Sequence, residues 1–257
     1  MVIKNSTYIH NLIMTLTSYE VKEFEIMQRL KNLPINNALA ISLSAATRLN
    51  PIFDRISQDL IPSNKNFLLD MSNQLWLELS SPSLTNKQLQ DWFDTLDAMY
   101  DKFENSLLKF SYADYTLLAT MQLLVFFQQK KCEDGVYVLR YPTDMIDQFV
   151  SAEFQGPLSS EITDYQIESF PPYQDELLRK KRDFEEIESI KEMTYDILER
   201  LKVRAFDEGE ALAKLLCHEK KIKWCPYSKD NCPCPTVSLT HSRPCTCPLF
   251  DDVVVVQ

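Results

Sequence analysis

The residues best suited to chemistry are cysteines and histidines crowded near the end of the chain. Six of the seven cysteines lie between positions 217 and 247, in CHEKKIKWCPYSKDNCPCPTVSLTHSRPCTCP. Thiolates are soft ligands suited to zinc, and a structural zinc site needs four sulfur or nitrogen donors brought together by short loops. The stretch therefore predicts a structural zinc site with the ligands Cys232, Cys234, Cys245 and Cys247, and with Cys225 and His241 as substitutes.

The cysteine spacing leaves two other interpretations open. Each C-x-C pair has one intervening residue, where zinc sites usually have two to four. The stretch is also typical of an irregular tail of reduced cysteines, and a disulfide or redox role is the third alternative. The first residues, MVIKNSTYIHNLIM, show no signal-peptide pattern, so we expect reduced thiols and a cytoplasmic protein.

The same region is locally basic, which raises the question of a nucleic-acid or acidic partner. Trp224 and Tyr227, as possible stacking surfaces, stand among the lysines at 214, 220, 221, 223 and 229. A solvated charged face explains such a run equally well. The chain as a whole carries a net charge of −10, so nucleic-acid binding by the main body is not expected. No apolar run approaches the roughly 20 residues of a membrane span, so no membrane partner is expected.

Several enzyme classes lack the residues they need. Only three glycines occur, which excludes the glycine-rich phosphate loops of P-loop and Rossmann enzymes. A hydrolytic triad would have to draw on His10, His218 or His241, one isolated near a terminus and two among the cysteines. Cys132 ends an apolar segment and is expected to pack in the interior. The acidic residues after position 174 alternate with basic ones, so solvated ion pairs are expected there.

Helical periodicity is the main signal through residue 216. It predicts helices over 18–31, 36–49, 67–79, 86–108, 113–129 and 143–154, with Thr85 as a cap and Pro51 ending the second helix. Residues 133–135 resemble a turn, and 136–139 form a β-prone run or a loop. From Pro172 to about 209 a charged pattern predicts a long, solvent-washed helix or a helical pair. The apolar stripes predict a core of Ala38, Leu39, Ile41, Leu43, Leu68, Leu75, Trp76, Phe93, Leu96, Leu117, Leu118, Met121, Leu124 and Val125.

The order of several segments resembles the bacterial domain-of-unknown-function 416 (DUF416) family, the YjaG-like proteins. The segments are ALAISLSAATRLNP, NQLWLEL, YADYTLLATMQLLVFF, QDELLRKKRDFEEIESI and ILERLKVRAFDEGEALAKLL, and together they cover roughly residues 36–216. The last of them carries the closing pattern Leu201, Arg204, Gly209. The resemblance implies an all-helical domain, and it supplies no reaction and no catalytic residues. The cysteine-rich tail departs from it.

These observations define the expected organisation and function. We expect an all-α, multi-helix globular domain over 1–216, with a hinge within 155–172, and a cysteine-rich, mostly irregular tail over 217–257. The missing catalytic residues favour a non-enzymatic interaction or adaptor module with a protein partner. A zinc-stabilised protein whose basic tail contacts nucleic acid or an acidic partner is one alternative. An enzyme whose helical pocket leaves no motif is the other.

Overall fold

The computed structural model describes residues 18–57, 66–104, 111–153 and 167–217. Within these ranges the chain forms helices and no strand, so the predicted all-α fold is confirmed. The helices are α1 (Ser18–Asn32), α2 (Ile35–Thr47), α3 (Asn50–Ser57), α4 (Phe67–Ser80), α5 (Asn86–Glu104), α6 (Ser111–Gln129), α7 (Cys132–Glu153), α8 (Pro171–Ser189) and α9 (Tyr195–Leu216). None of these helices is long and apolar enough to cross a membrane.

Helix α2 is the central element, as its apolar sequence predicts. Every residue from Asn37 to Thr47 is buried, and the helix contacts α4, α6, α7, α8 and α9. A helix that is apolar on all sides has to be surrounded by other elements. Most of the predicted core residues are buried around it. The exceptions are Phe93, Leu118 and Val125, which are only partly buried because they face the rim of the bundle.

A second apolar cluster joins α3, α6, α7, α8 and α9. Its buried members include Leu49, Ile52, Met145 and Ile146. It also contains Ile167 and Phe170, which lie at the end of the segment predicted to hold a hinge. Phe170 then takes the N-cap position of α8, and Pro171 starts the helix, where a missing backbone N–H costs nothing. The rest of the predicted hinge lies outside the described residues.

Two predicted boundaries are wrong. Residues 133–139 form neither a turn nor a strand, because α7 runs unbroken from Cys132 and passes through Pro142. Gly135 lies inside this helix at a close approach, since a Cβ there would lie 2.7 Å from Cε1 of Phe126. Pro51 does not end α2 either. Helix α2 stops at Thr47, and Pro51 lies in the first turn of α3.

Other end signals behave as predicted. Thr85 forms a capping box with Gln88, since the backbone N–H of Gln88 donates to the Thr85 hydroxyl at 3.2 Å and the Thr85 N–H donates to the Gln88 side chain at 3.0 Å.

The charged segment after Pro172 is a helical pair, α8 and α9, separated before the N-cap Thr194. The expectation that this pair is washed by solvent is wrong, because Glu176, Lys180 and Asp183 are buried.

Candidate functional site: a buried charge cluster beneath an exposed helical groove

Helix α8 places charged residues where an ordinary helix places apolar ones. Its buried residues include Tyr173, Glu176, Lys180, Asp183 and Ile187, which recur every three or four positions. This is the spacing of a helix face that packs on a core. The sequence of α8 therefore shows the spacing of a buried helix face, but three of the five positions on that face carry charged residues. Charged residues are almost never fully buried unless they are paired, so these positions must have partners.

Arg48, the C-cap residue of α2, is the partner at the centre of the cluster. It is 1% exposed, and its guanidinium donates to Asp183 at 2.9 Å and to Glu176 at 2.9 Å. The Ser44 hydroxyl accepts from the same guanidinium at 3.2 Å and donates to Asp183 at 3.3 Å. One arginine thus joins the end of α2 to two successive turns of α8.

A second layer of ion pairs links α8 to α9. Asp183 also accepts from Arg204 of α9 at 3.0 Å and from its neighbour Arg182 at 2.8 Å. Arg182 in turn donates to Glu208 of α9 at 2.7 Å. Glu186 accepts from Arg204 at 2.6 Å. The ion pairs form a continuous network from the buried centre to the surface, in which side chains of α8 are bonded to both α2 and α9.

The network shifts the pKa values of Asp183 and Arg48 toward the charged forms. Burial alone would raise the pKa of Asp183, but Arg48, Arg182 and Arg204 outweigh it, so the pKa of Asp183 lies below its ordinary value. Burial alone would lower the pKa of Arg48, but the two carboxylates outweigh it and raise that pKa. Asp183 and Arg48 therefore stay ionised near neutral pH. The carboxylates are held by guanidinium groups, which makes this cluster a structural device and not an acid/base pair.

Gly209 allows α9 to approach the end of α2. A Cβ built on Gly209 would lie 2.4 Å from the carbonyl oxygen of Arg48 and 2.9 Å from its carbonyl carbon. Those are backbone atoms, so they cannot turn aside as a side chain can. Only glycine fits at this contact, which brings α9 close to the residue that anchors the cluster.

Next to Thr47, the chain neighbour of Arg48, α4 and α9 form an open groove of about 210 Å³. Its lining combines apolar and polar side chains: Thr47, Leu69, Ser72, Asn73, Lys202, Val203, Phe206 and Asp207. Its base is fixed by hydrogen bonds to Thr47, whose hydroxyl lies 3.1 Å from the Ser72 hydroxyl and accepts from the Trp76 indole at 3.0 Å. The groove walls are thus tied to the central helix.

Large apolar side chains are exposed around this groove. Val203, in its lining, is 49% exposed. Tyr195, which is 58% exposed, lies on an adjoining open surface of α9 that also contains Val203 and Asp207. A single exposed apolar residue is ordinary, and here two of them lie on one face that continues into the groove.

The predicted zinc ligands Cys225, Cys232, Cys234, His241, Cys245 and Cys247 all lie outside the described residues. Within the described ranges, no group of three histidine, cysteine or acidic side chains could hold a metal ion. Cys132 packs against the main core, and burial raises the pKa of its thiol. A raised pKa opposes formation of the nucleophilic thiolate, in agreement with a packing role.

The described residues thus define an all-helical domain built around a buried arginine. No family model and no curated protein matches the sequence. Among solved structures, the chain is similar to the crystal structure of a DUF416 family protein from Shewanella baltica OS155, with a TM-score of 0.62. The match has 18% sequence identity and covers 70% of this chain and 93% of the other. The fold expected from the resemblance is therefore confirmed, and at this identity the similarity concerns the fold alone.

Proposed function

We propose that the domain is a non-enzymatic interaction module that holds an amphipathic helix of a partner protein in the groove between α4 and α9. The observation that carries the proposal is the exposure of Val203 in the lining of that groove, together with Tyr195 on an adjoining surface of α9 that also contains Val203. Two helices side by side leave a channel that fits the apolar face of a third helix. The partner's apolar residues would follow the spacing of three and four that such a groove accepts.

The charges beside the groove favour a basic partner helix. Asp196 and Asp207 of α9 flank Val203, and among the described residues neither forms a salt bridge. By contrast, Lys202 is paired with Glu199 at 3.0 Å, and Arg204 is held by Asp183 and Glu186. The chain's net charge of −10 adds a field of the same sign. A partner with lysine or arginine beside its apolar stripe would therefore be attracted and oriented.

The charge cluster supports the proposal because it makes the groove rigid before binding. Arg204 and Arg200 bind Glu186 at 2.6 and 2.5 Å, which holds the middle of α9 against α8. Ser72 and Trp76 hold α4 against Thr47. A preformed groove binds more tightly, because less conformational freedom is lost on association.

A site-specific crosslinking experiment tests this function. A photoreactive amino acid replaces Val203 in the full chain, and the matched control carries it at Leu178, which is 63% exposed on α8 away from the groove. We expect crosslinks from position 203, and not from 178, to one partner peptide that forms a basic amphipathic helix. Val203→Glu should then weaken binding of that synthetic peptide by about tenfold or more, while Leu178→Glu leaves it unchanged.

Other crosslinks would contradict the proposal. A crosslink from position 203 to the chain's own residues 218–257 would show that the groove is occupied internally. A crosslink to position 203 of a second copy would make it a self-association surface. Equal loss of peptide binding in both glutamate variants would mean that the groove is not the binding site.

A further inference from the structure

A second groove lies on the opposite side of α8, between α1 and α7. It encloses about 180 Å³ and includes Lys180 and Thr143 in its lining. Ile26, Tyr173, Leu177 and Phe184 contribute apolar surface to its walls. Neither the fold nor the proposed interaction surface explains why a buried lysine lines this space.

Lys180 differs from every other cation of this groove. It is 7% exposed, and its ammonium donates to the Thr143 hydroxyl at 3.0 Å, but no carboxylate among the described residues forms a salt bridge with it. The other cations are matched: Arg29 binds Glu188 at 2.8 Å, and Arg140 lies 3.5 Å from Asp144. Lys181 lies 3.9 Å from Glu185.

The surroundings of Lys180 leave its positive charge only partly compensated. Burial lowers the pKa of Lys180 to about 8. Glu176 on its own helix and Asp144 on α7 oppose this effect, while Arg48 and Arg140 reinforce it. Glu25 of α1 also lines the groove, but it forms no salt bridge with Lys180. Among the described residues, Lys180 is therefore the cation of this groove that no salt bridge compensates.

A buried ammonium without a salt bridge can bind one negatively charged group. An ammonium has three N–H donors, and Thr143 accepts one of them, so two remain for a ligand. The Thr143 hydroxyl is itself committed, since it donates to the Arg140 carbonyl at 2.7 Å. A carboxylate carries a single charge and accepts two hydrogen bonds, whereas a phosphate monoester brings a second charge that this groove does not match.

The size of the groove limits the rest of the ligand. A cavity of about 150 Å³ accommodates benzene, and this groove is slightly larger at about 180 Å³. We infer that the groove between α1, α7 and α8 binds a small organic carboxylate with an aryl or branched alkyl group. The carboxylate accepts hydrogen bonds from Lys180, and the apolar group lies against Tyr173, Leu177 and Phe184.

Calorimetric titration of the full chain tests this inference with benzoate and 3-methylbutanoate as probes. Benzamide is the neutral control, and inorganic phosphate is the control for a general anion site. We expect both carboxylates to bind and both controls to fail. Lys180→Met should weaken benzoate binding by about tenfold or more, the usual effect of losing a charge-assisted hydrogen bond. Lys181→Met removes a neighbouring surface lysine and should leave binding unchanged.

A second variant keeps the test valid if Lys180→Met does not fold. Leu177→Trp fills the groove and leaves Lys180 in place, so it should abolish binding without altering the circular dichroism spectrum. Benzoate affinity should also fall as the pH rises above the pKa of Lys180, because the neutral amine no longer attracts the anion.

Four results would overturn the inference. They are no binding of either carboxylate, equal binding of benzamide, tighter binding of phosphate, and full benzoate affinity in Leu177→Trp. None of them bears on the groove between α4 and α9, which shares no lining residue with this one.

Discussion

Replacing Gly209 with alanine should destabilise the protein, although helix propensity alone predicts the opposite. In the interior of a helix, alanine is favoured over glycine by about 1 kcal/mol. At Gly209, however, the added Cβ would lie 2.4 Å from the carbonyl oxygen of Arg48, where an ordinary contact needs at least 3.4 Å. Helix α9 would therefore have to move by about 1 Å, the difference between those distances.

The structure allows the size of the effect to be worked out. Overpacking against an immovable backbone costs about 3 kcal/mol, the upper end of the usual range. A movement of 1 Å would also stretch the bond between Arg204 and Asp183, now 3.0 Å, and the bond between Arg182 and Glu208, now 2.7 Å. Weakening these bonds should cost about 1 kcal/mol more in total. After the propensity gain, the free energy of unfolding should fall by about 3 kcal/mol.

Urea unfolding followed by far-ultraviolet circular dichroism measures this change. For a chain of this size the same loss lowers the melting temperature by about 6 to 12 °C. Ala211→Gly is the matched control, because Ala211 is exposed on the same helix. It should cost about 1 kcal/mol from propensity alone. If Gly209→Ala is as stable as the natural chain or more so, the close contact between α9 and Arg48 does not exist as described.

Three further predictions follow from the same network and from the tail. Arg48→Met leaves the buried carboxylate of Glu176 with Arg179 alone, at 3.5 Å, and should cost about 3–5 kcal/mol. Adding Glu176→Gln should recover part of that loss in a double-mutant cycle, whereas simple additivity would refute the coupling. Burial lowers the pKa of Lys180 from 10.5 to about 8, so between these pH values the unfolded chain binds more protons than the folded one. The denaturation midpoint of the natural chain should therefore rise with pH across that window, while the midpoint of Lys180→Met should not. A parallel rise in both proteins would assign the pH dependence to another group. If the tail holds structural zinc, elemental analysis should find about one ion per chain in the natural protein and in Cys132→Ser but none in Cys232→Ser, and equal zinc in all three would refute the assignment.

The sequence predicted the helices wherever apolar periodicity and end signals agree. Thr85 with Gln88 is such a case, because both halves of the capping box are readable from the letters. Helix α7 was predicted incorrectly because residues 133–135 resemble a turn and Thr143 resembles the N-cap of a new helix, whereas the helix is continuous from Cys132. Tertiary packing overrides both, since Val136, Val138 and Leu139 are all buried between them. Local propensity carries no information about the Phe126 ring that makes glycine necessary at position 135.

The charge cluster was not predicted because its partners are remote in sequence. Arg48 lies 128 positions from Glu176 and 135 from Asp183. An arginine near a helix end usually extends to solvent, and a charged helix usually forms solvated pairs. The solvated interpretation is correct for Lys181 and Glu185, which are exposed. Only the recurrence of the buried positions of α8 every three or four residues distinguishes its buried charged residues from its exposed ones.

Three of the five segments that carry the DUF416 resemblance meet in space at this cluster. The first contributes Arg48, the segment QDELLRKKRDFEEIESI contributes Glu176 and Asp183, and the last contributes Gly209 along with Arg204. A shift of register would leave a buried guanidinium or its carboxylates unpaired, which is strongly destabilising. Gly209 then fixes the distance of α9 from the same residue. The cluster therefore determines how α2, α8 and α9 pack, and through α9 it sets the position of one wall of the groove that contains Val203.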